Sequence, residues 1–250
     1  MIESFVALAE SLAPGCADTW VGADEDAVEE VEYFAGRPLP AFYRWFLETM
    51  GNDMGALGHA YLDLRPATIA AAYDAYEYPR GASALYIGRH PEPRFPFRQF
   101  LDLDAPCRED AAVLEEPEDG GPRTRPFETL REQLAWGLVV RFRLAVAPQQ
   151  FLGGLADPGG DVAEALWPAL ASLGWTRMLE DTGRYCGLYQ RGDEVLLASA
   201  KVDATAHDRM VVQAGSRDAT SMRKLLGQLS MDADLQVAAV RWEPPLPEPE

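Results

Sequence analysis

Lysine is almost missing from this chain. Lys201 and Lys224 are the only two, so 20 of the 22 basic side chains are arginine and no polybasic tract exists. Against 40 acidic residues this leaves a formal charge of -18 at pH 7. Nucleic-acid binding draws its affinity from clustered Lys and Arg facing phosphate, so no direct nucleic-acid partner is expected. Long apolar runs are lacking too. None approaches the roughly 20 residues of a bilayer span, which argues against a membrane partner. The opening Met1-Ile2-Glu3 has no basic n-region of a signal peptide. Cysteine is scarce: Cys16, Cys107 and Cys186 are odd in number and far apart, which implies neither a disulfide framework nor a zinc site. His59, His90 and His207 are too scattered for a metal pair at helical spacing. The expectation is a soluble, cytoplasmic protein without metal or cofactor.

What is present is ordinary globular composition. The 250 residues are 48% apolar and 25% charged, enough for one large core or two modest ones. The sharpest shift in composition is Pro148–Gly160, whose glycines and prolines show no sustained period and predict a linker. The predicted layout is therefore a first domain over 1–147, a linker over 148–160, and a second small domain over 161–243. A Pro-rich tail would follow over 244–250. The nets of the two halves, -12 over 1–150 and -6 over 151–250, conceal no basic face.

In the first half Asp24 suits a helix N-cap, with Glu25 and Asp26 in the first turn where the helix dipole favours anions. Ala27, Val28, Val31, Phe34 and Ala35 share one face, and Gly36 ends the helix. Pro40 suits the first turn of a second helix, Ala41 to Met50, with Phe42, Trp45, Phe46 and Thr49 inward. A short strand near 60–64, a helix from Pro66 to Tyr76 and a strand over Ala84–Gly88 come next. Phe100–Leu103 and Ala111–Glu115 predict a strand pair around a polar loop, Asp104–Asp110. Phe127, Leu130 and Leu134 mark a closing helix. Helices first, strands in the middle and a last helix define the α+β class.

The run Ala23–Asn52 resembles the opening of the SUKH superfamily, the Smi/Knr-type domain. The carrying positions are Glu32, Gly36, Leu39, Pro40, Phe42, Tyr43, Phe46, Leu47, Gly51 and Asn52, with Gly51-Asn52-Asp53 departing from the family's terminal turn. The resemblance extends over roughly residues 20–140. It implies a mixed sheet flanked by helices, and a binding role with no catalytic residues. Bacterial members of the family are mainly immunity proteins that hold a polymorphic toxin domain inactive; fungal relatives are regulatory scaffolds.

In the second half Asp161 and Glu164 suggest a capping box, and Pro168 predicts a restart of that helix. Trp175–Glu180, Arg184–Gln190, Glu194–Ala200 and Arg209–Ala214 predict an antiparallel meander. Met222, Leu225, Leu226 and Leu229 form a helical stripe, and Leu235–Trp242 a last strand. This half therefore predicts a small α+β domain with two helices, and no family resemblance.

Motifs with chemical associations have plainer readings. Asp181-Thr182-Gly183 matches an aspartic-protease signature, but that chemistry needs a second aspartate sharing a proton, and no second copy exists. Arg191-Gly192-Asp193 fits a hairpin turn. Ser221-Met222-Arg223-Lys224 has S-x-x-K spacing without its companion elements. The linker glycines are not followed by Lys-Ser or Lys-Thr, so no phosphate cradle is indicated. Glu32 and Glu48 are placed to face one another across the first two helices. No catalytic site is expected.

Surfaces remain. Asp24, Glu25, Asp26, Glu29 and Glu30 make one acidic face; Glu115, Glu116, Glu118 and Asp119 make a second. Tyr73, Tyr76 and Tyr78, interleaved with Asp74 and Glu77, are candidate aromatic anchors. An acidic inhibitor would be steered electrostatically onto a basic toxin domain such as a nuclease. The leading expectation is an immunity-type protein whose partner is that toxin domain, bound by steric and charge occlusion without catalysis. The alternative is a regulatory scaffold unrelated to toxins.

Overall fold

The computed structural model describes the whole chain except residues 59–61, 76, 91–95, 108, 159, 201, 203–206 and 246–250, and the side chain at 239. It is α+β, in two compact units, Met1–Gly137 and Leu138–Glu250. The division falls ten residues before the one predicted after 147.

The first unit opens with helix α1 (Ile2–Leu12), which the sequence pattern did not reveal. Helix α2 (Glu25–Ala35) has the predicted bounds, and its ends show why. The Asp24 carboxylate accepts from the Ala27 N–H at 2.9 Å, satisfying a first-turn donor. At the other end Gly36 takes the left-handed conformation, φ 65°, and its N–H donates back to the Glu32 and Tyr33 carbonyls. Helix α3 (Ala41–Met50) follows the turn at Pro40. Phe42, Tyr43, Phe46, Leu47 and Met50 are buried there, while Trp45 and Thr49 are only half-buried, so the apolar stripe is rotated toward Tyr43 and Leu47. Edge-on ring contacts tie Phe5 of α1 to Phe42 at 5.6 Å and to Trp45 at 6.0 Å. Each such ring removed from water contributes about 1.5–3 kcal/mol.

Helix α4 (Pro66–Asp74) precedes four strands: β1 (Ala84–His90), β2 (Phe97–Cys107), β3 (Asp110–Pro117) and β4 (Thr124–Phe127). The strand order is β1-β2-β3-β4 and every pairing among the described residues is antiparallel, where the resemblance implied a mixed sheet. Short connections join consecutive strands, and parallel pairing would need a long crossover. The loop predicted over 104–110 belongs to the β2–β3 hairpin, with Cys107 paired to Asp110. Of the strand predicted near 60–64, the described part holds only an isolated bridge from Asp63 to Arg89. Helix α5 (Leu130–Val139) closes the unit and runs into a π-helical turn, Val140–Leu144.

The second unit is a six-stranded antiparallel sheet in the order β10-β5-β9-β8-β7-β6. Its elements are β5 (Gln149–Ala156), helix α6 (Val162–Ser172), β6 (Thr176–Arg177), β7 (Cys186–Arg191), β8 (Glu194–Ser199), β9 (Arg209–Ser216), helix α7 (Ala219–Asp232) and β10 (Gln236–Glu243). The meander and both helices are as predicted, and α6 passes through Pro168 without restarting. Strand β5 occupies most of the segment predicted as a linker. Gly153 and Gly154 lie opposite a register shift in β10 between Ala238 and Arg241, and a Cβ on Gly153 would meet the Val240 side chain at 3.3 Å. Gly153 thus leaves space for the Val240 side chain inside a strand, a role that turn-forming composition conceals. Phe151, Leu155, Leu196, Met210 and Val212 of the sheet pack with Leu166, Leu170, Leu225 and Leu229 of the helices.

Candidate functional site

The two acidic faces read from the sequence fare differently. On α2, Asp24, Glu25, Asp26, Glu29 and Glu30 are all exposed. Asp24 is occupied in capping. Among the described residues no cation pairs with Glu25, Asp26, Glu29 or Glu30. Asp26, Glu29, Glu30 and Tyr33 fall on one side by the three- and four-residue spacing of a helix. Tyr33 is 61% exposed, an uncommon position for so large a ring, and it stands at the end of this strip. Arg80 donates to the Tyr33 hydroxyl at 2.7 Å and lays its guanidinium 4.8 Å from the ring centroid. An aromatic edge beside an uncompensated row of carboxylates thus forms one continuous surface. Sequence reasoning missed Tyr33, although its place four residues after Glu29 on the polar side of α2 was the available signal.

The second face is not an acidic patch. Glu116 is bridged by Arg123 at 2.5 Å and by Arg98 at 3.6 Å. Glu115 accepts from Gln99 at 3.2 Å, and Gln99 in turn accepts from Gln133 at 2.9 Å inside the unit. Only Glu118 and Asp119 stay exposed. Sheet register carries Arg98, 18 positions away in sequence, directly opposite Glu116, which a one-dimensional reading of charge cannot anticipate.

The tyrosines also separate. Tyr73 is a core residue at 2% exposure, stacked on Phe34 at 4.5 Å, with its hydroxyl accepting from the Tyr86 N–H at 3.2 Å. It cannot anchor a partner. Tyr78 is half-buried and stacks on Tyr86 at 4.5 Å. Tyr76 lies outside the described residues. Glu32 and Glu48 meet through a cation: Arg44 spans the two at 2.9 and 2.8 Å. Glu32 also accepts from the Leu39 N–H at 3.2 Å, bracing the turn between α2 and α3.

One acid is hidden. Asp110, predicted as a loop residue, is fully buried and accepts from the backbone N–H groups of Ala111 at 2.8 Å and Arg131 at 2.9 Å. Burial raises its carboxyl to about 6, against the lowering effect of those donors and of the Arg131 charge. The contact caps the start of α5 from the β2–β3 hairpin, so its role is structural.

In the second unit the suggestive motifs resolve into turns and caps. Gly192 and Asp193 form the β7–β8 turn, and Arg191 pairs with Glu194 at 2.7 Å. Ser221 donates to Glu194, not to Lys224, which is exposed. The capping box is one-sided: Asp161 accepts from the Glu164 N–H, while the Glu164 carboxylate turns to Arg184. Asp181 is exposed on its turn. His90 stacks on Phe97, His207 shares a hydrogen bond with Tyr185 at 3.0 Å, and His59 lies outside the described residues. Among the described residues no group of three His, Cys, Asp or Glu is arranged to hold a metal ion, and no helix is long and apolar enough to cross a membrane.

No protein-family model matches the chain, and neither a curated protein nor a solved structure matches it.

Proposed function

We propose that this protein works by covering another protein, with the α2 face as its contact and no bond-making chemistry. The observation that carries this reading is the strip Asp26–Glu29–Glu30–Tyr33, which combines unpaired carboxylates with an exposed ring. Unpaired charge accelerates encounter with an oppositely charged surface. A tyrosine can bury a large area at low entropic cost and anchors interfaces out of proportion to its frequency. The partner that fits is a cationic protein domain. Joined to the SUKH resemblance of residues 20–140, this favours an immunity-type role: a basic toxin domain, occluded by shape and charge.

A regulatory scaffold is the second reading, and a feature of the second unit favours it. Leu152 and Val211, 45% and 50% exposed, are diagonal neighbours on β5 and β9 and offer a separate apolar contact. Co-expression with the C-terminal domain of the protein encoded by the neighbouring reading frame distinguishes the two. The immunity reading requires that the host survive and that a complex persist through gel filtration. Host death with no complex overturns it.

A further inference from the structure

An open groove of about 800 Å³ lies between α4 and the sheet face that bears Tyr86. Tyr78 and Tyr86, whose rings stack, line it together with Thr68, Arg65, Arg89 and Arg98. Three arginines around one groove call for a cause in a chain whose acids outnumber its bases 40 to 22.

A bulge brings two of them together. Tyr86 pairs with Phe100 and Arg89 with Arg98, and the register slips between Tyr86 and Gly88. Side chains alternate faces along a regular strand, so residues 86 and 89 would point to opposite sides. The extra residue of the bulge turns Arg89 onto the side of Tyr86, the sort of re-aiming for which bulges are retained beside sites. Glycine is needed for this: a Cβ at Gly88 would lie 2.3 Å from the Asp63 carbonyl oxygen. The close approach lets the Asp63 N–H bond to the Arg89 carbonyl at 3.3 Å. Asp63 then grips Arg65 with both carboxylate oxygens, at 2.9 and 2.8 Å, on the wall of the same groove.

The resulting pair is electrostatically unfavourable as it stands. Arg89 and Arg98 are directly opposite each other on adjacent strands, where like charges destabilise. Among the described residues Arg98 has an ion pair with Glu116 at 3.6 Å, a carboxylate that Arg123 approaches more closely. Arg89 has no ion-pair partner among the described residues. Glu77 and Glu118 also line the groove. Their charge disfavours an extended polyanion along the groove more than a compact anionic group held at Arg89 and Arg98.

We propose that this groove binds a small ligand bearing an oxyanion, a carboxylate or a phosphate, held by Arg89 and Arg98 with its body against Tyr78, the half-buried ring at the surface of the Tyr78–Tyr86 stack. Forked guanidinium donors match both oxyanions, and the volume is that of a small-molecule site. The α2 face takes no part, so this proposal and the protein-binding one can fail separately.

The test is a titration of the intact protein with inorganic phosphate, with succinate and with a short single-stranded oligonucleotide, read by NMR at arginine side-chain N–H groups. Saturable shifts at Arg89 and Arg98 are expected with phosphate or with succinate, and the stronger of the two names the head group. Arg89→Gln and Arg98→Gln should each weaken binding by about tenfold or more, the loss of one charge-assisted contact. Unchanged amide spectra away from the groove will show that both variants are folded. Absence of saturable shifts from either small anion overturns the proposal. Equal binding by the variants, or preference for the oligonucleotide, does so as well.

Discussion

The acidic helix α2 and the acidic end of β3 look alike as sequence and differ as surfaces. On the exposed side of α2, Asp26 has Glu29 and Glu30 at three and four residues, and Glu25 has Glu29 at four, with no cation pairing them among the described residues. On β3 the neighbours come from other strands, and Arg98 and Arg123 neutralise Glu116. A run of like charge therefore predicts surface potential on a helix far better than on a sheet. The contrast is why the proposed contact is α2 rather than β3.

The two tyrosines attached to these regions sharpen the contrast most strongly. Tyr73→Ala removes a buried ring stacked on Phe34 and should lower the unfolding free energy by about 3–5 kcal/mol, measured by urea denaturation. Tyr33→Ala should cost about 0.5 kcal/mol or less on the same curve, because its ring is mostly in water. Tyr33→Ala should instead weaken the partner complex. Equal losses of stability would mean that Tyr33 is a packing residue and would weaken the case for the α2 strip.

The buried Asp110 extends the comparison to an acid with no water around it. Its folded carboxyl sits at about 6, above the ordinary 3.8, so the folded state holds this proton more tightly than the unfolded one. Below the unfolded value both states are protonated and the group is neutral in the balance. As the pH rises from about 4 through 6, folding must carry an ionised buried carboxylate, and stability falls by on the order of 2–3 kcal/mol before levelling off. Urea midpoints measured at intervals from pH 4 to 7 should show that decline, and Asp110→Asn should flatten it. A wild-type stability that rises throughout this window, with Asp110→Asn rising in parallel, would mean that the carboxyl is not raised.

Reversing Glu25, Asp26, Glu29 and Glu30 to lysine comes next in size. Association with a captured basic domain should slow by about tenfold or more and lose most of its salt dependence. Circular dichroism will register the smaller cost of placing lysine in the first turn of α2. Unchanged association kinetics in a folded variant would exclude this face.

How much was legible follows from where each cause lies. The bounds of α2 and α3 could be read because their determinants, Asp24, Gly36 and Pro40, are local. The meander of the second unit was legible through its glycine turns. Strand β5 was not, because its Gly153 faces Val240 of β10, more than 80 residues away in sequence. The acidic α2 face was visible and the ring that completes it was overlooked. Tyr73 looked like an anchor because alternation with acids says nothing of the Phe34 ring waiting above it. The arginine groove was invisible, since it depends on a one-residue slip at Gly88.

A small predicted effect is the most direct check on the β3 half of the comparison. Glu116→Gln keeps the shape of the side chain and removes the charge that Arg98 and Arg123 share. These are partly exposed pairs, with Arg98 and Arg123 at 37% and 46% side-chain exposure, so the stability cost should stay under about 1 kcal/mol. The protein-binding rate should not change, because this carboxylate is already neutralised. The surface around Arg98 becomes more positive, however, so any small anion held in the groove should bind more tightly. A clear fall in protein association on Glu116→Gln would return the interface to β3, and the unpaired state of the α2 carboxylates would then need another cause.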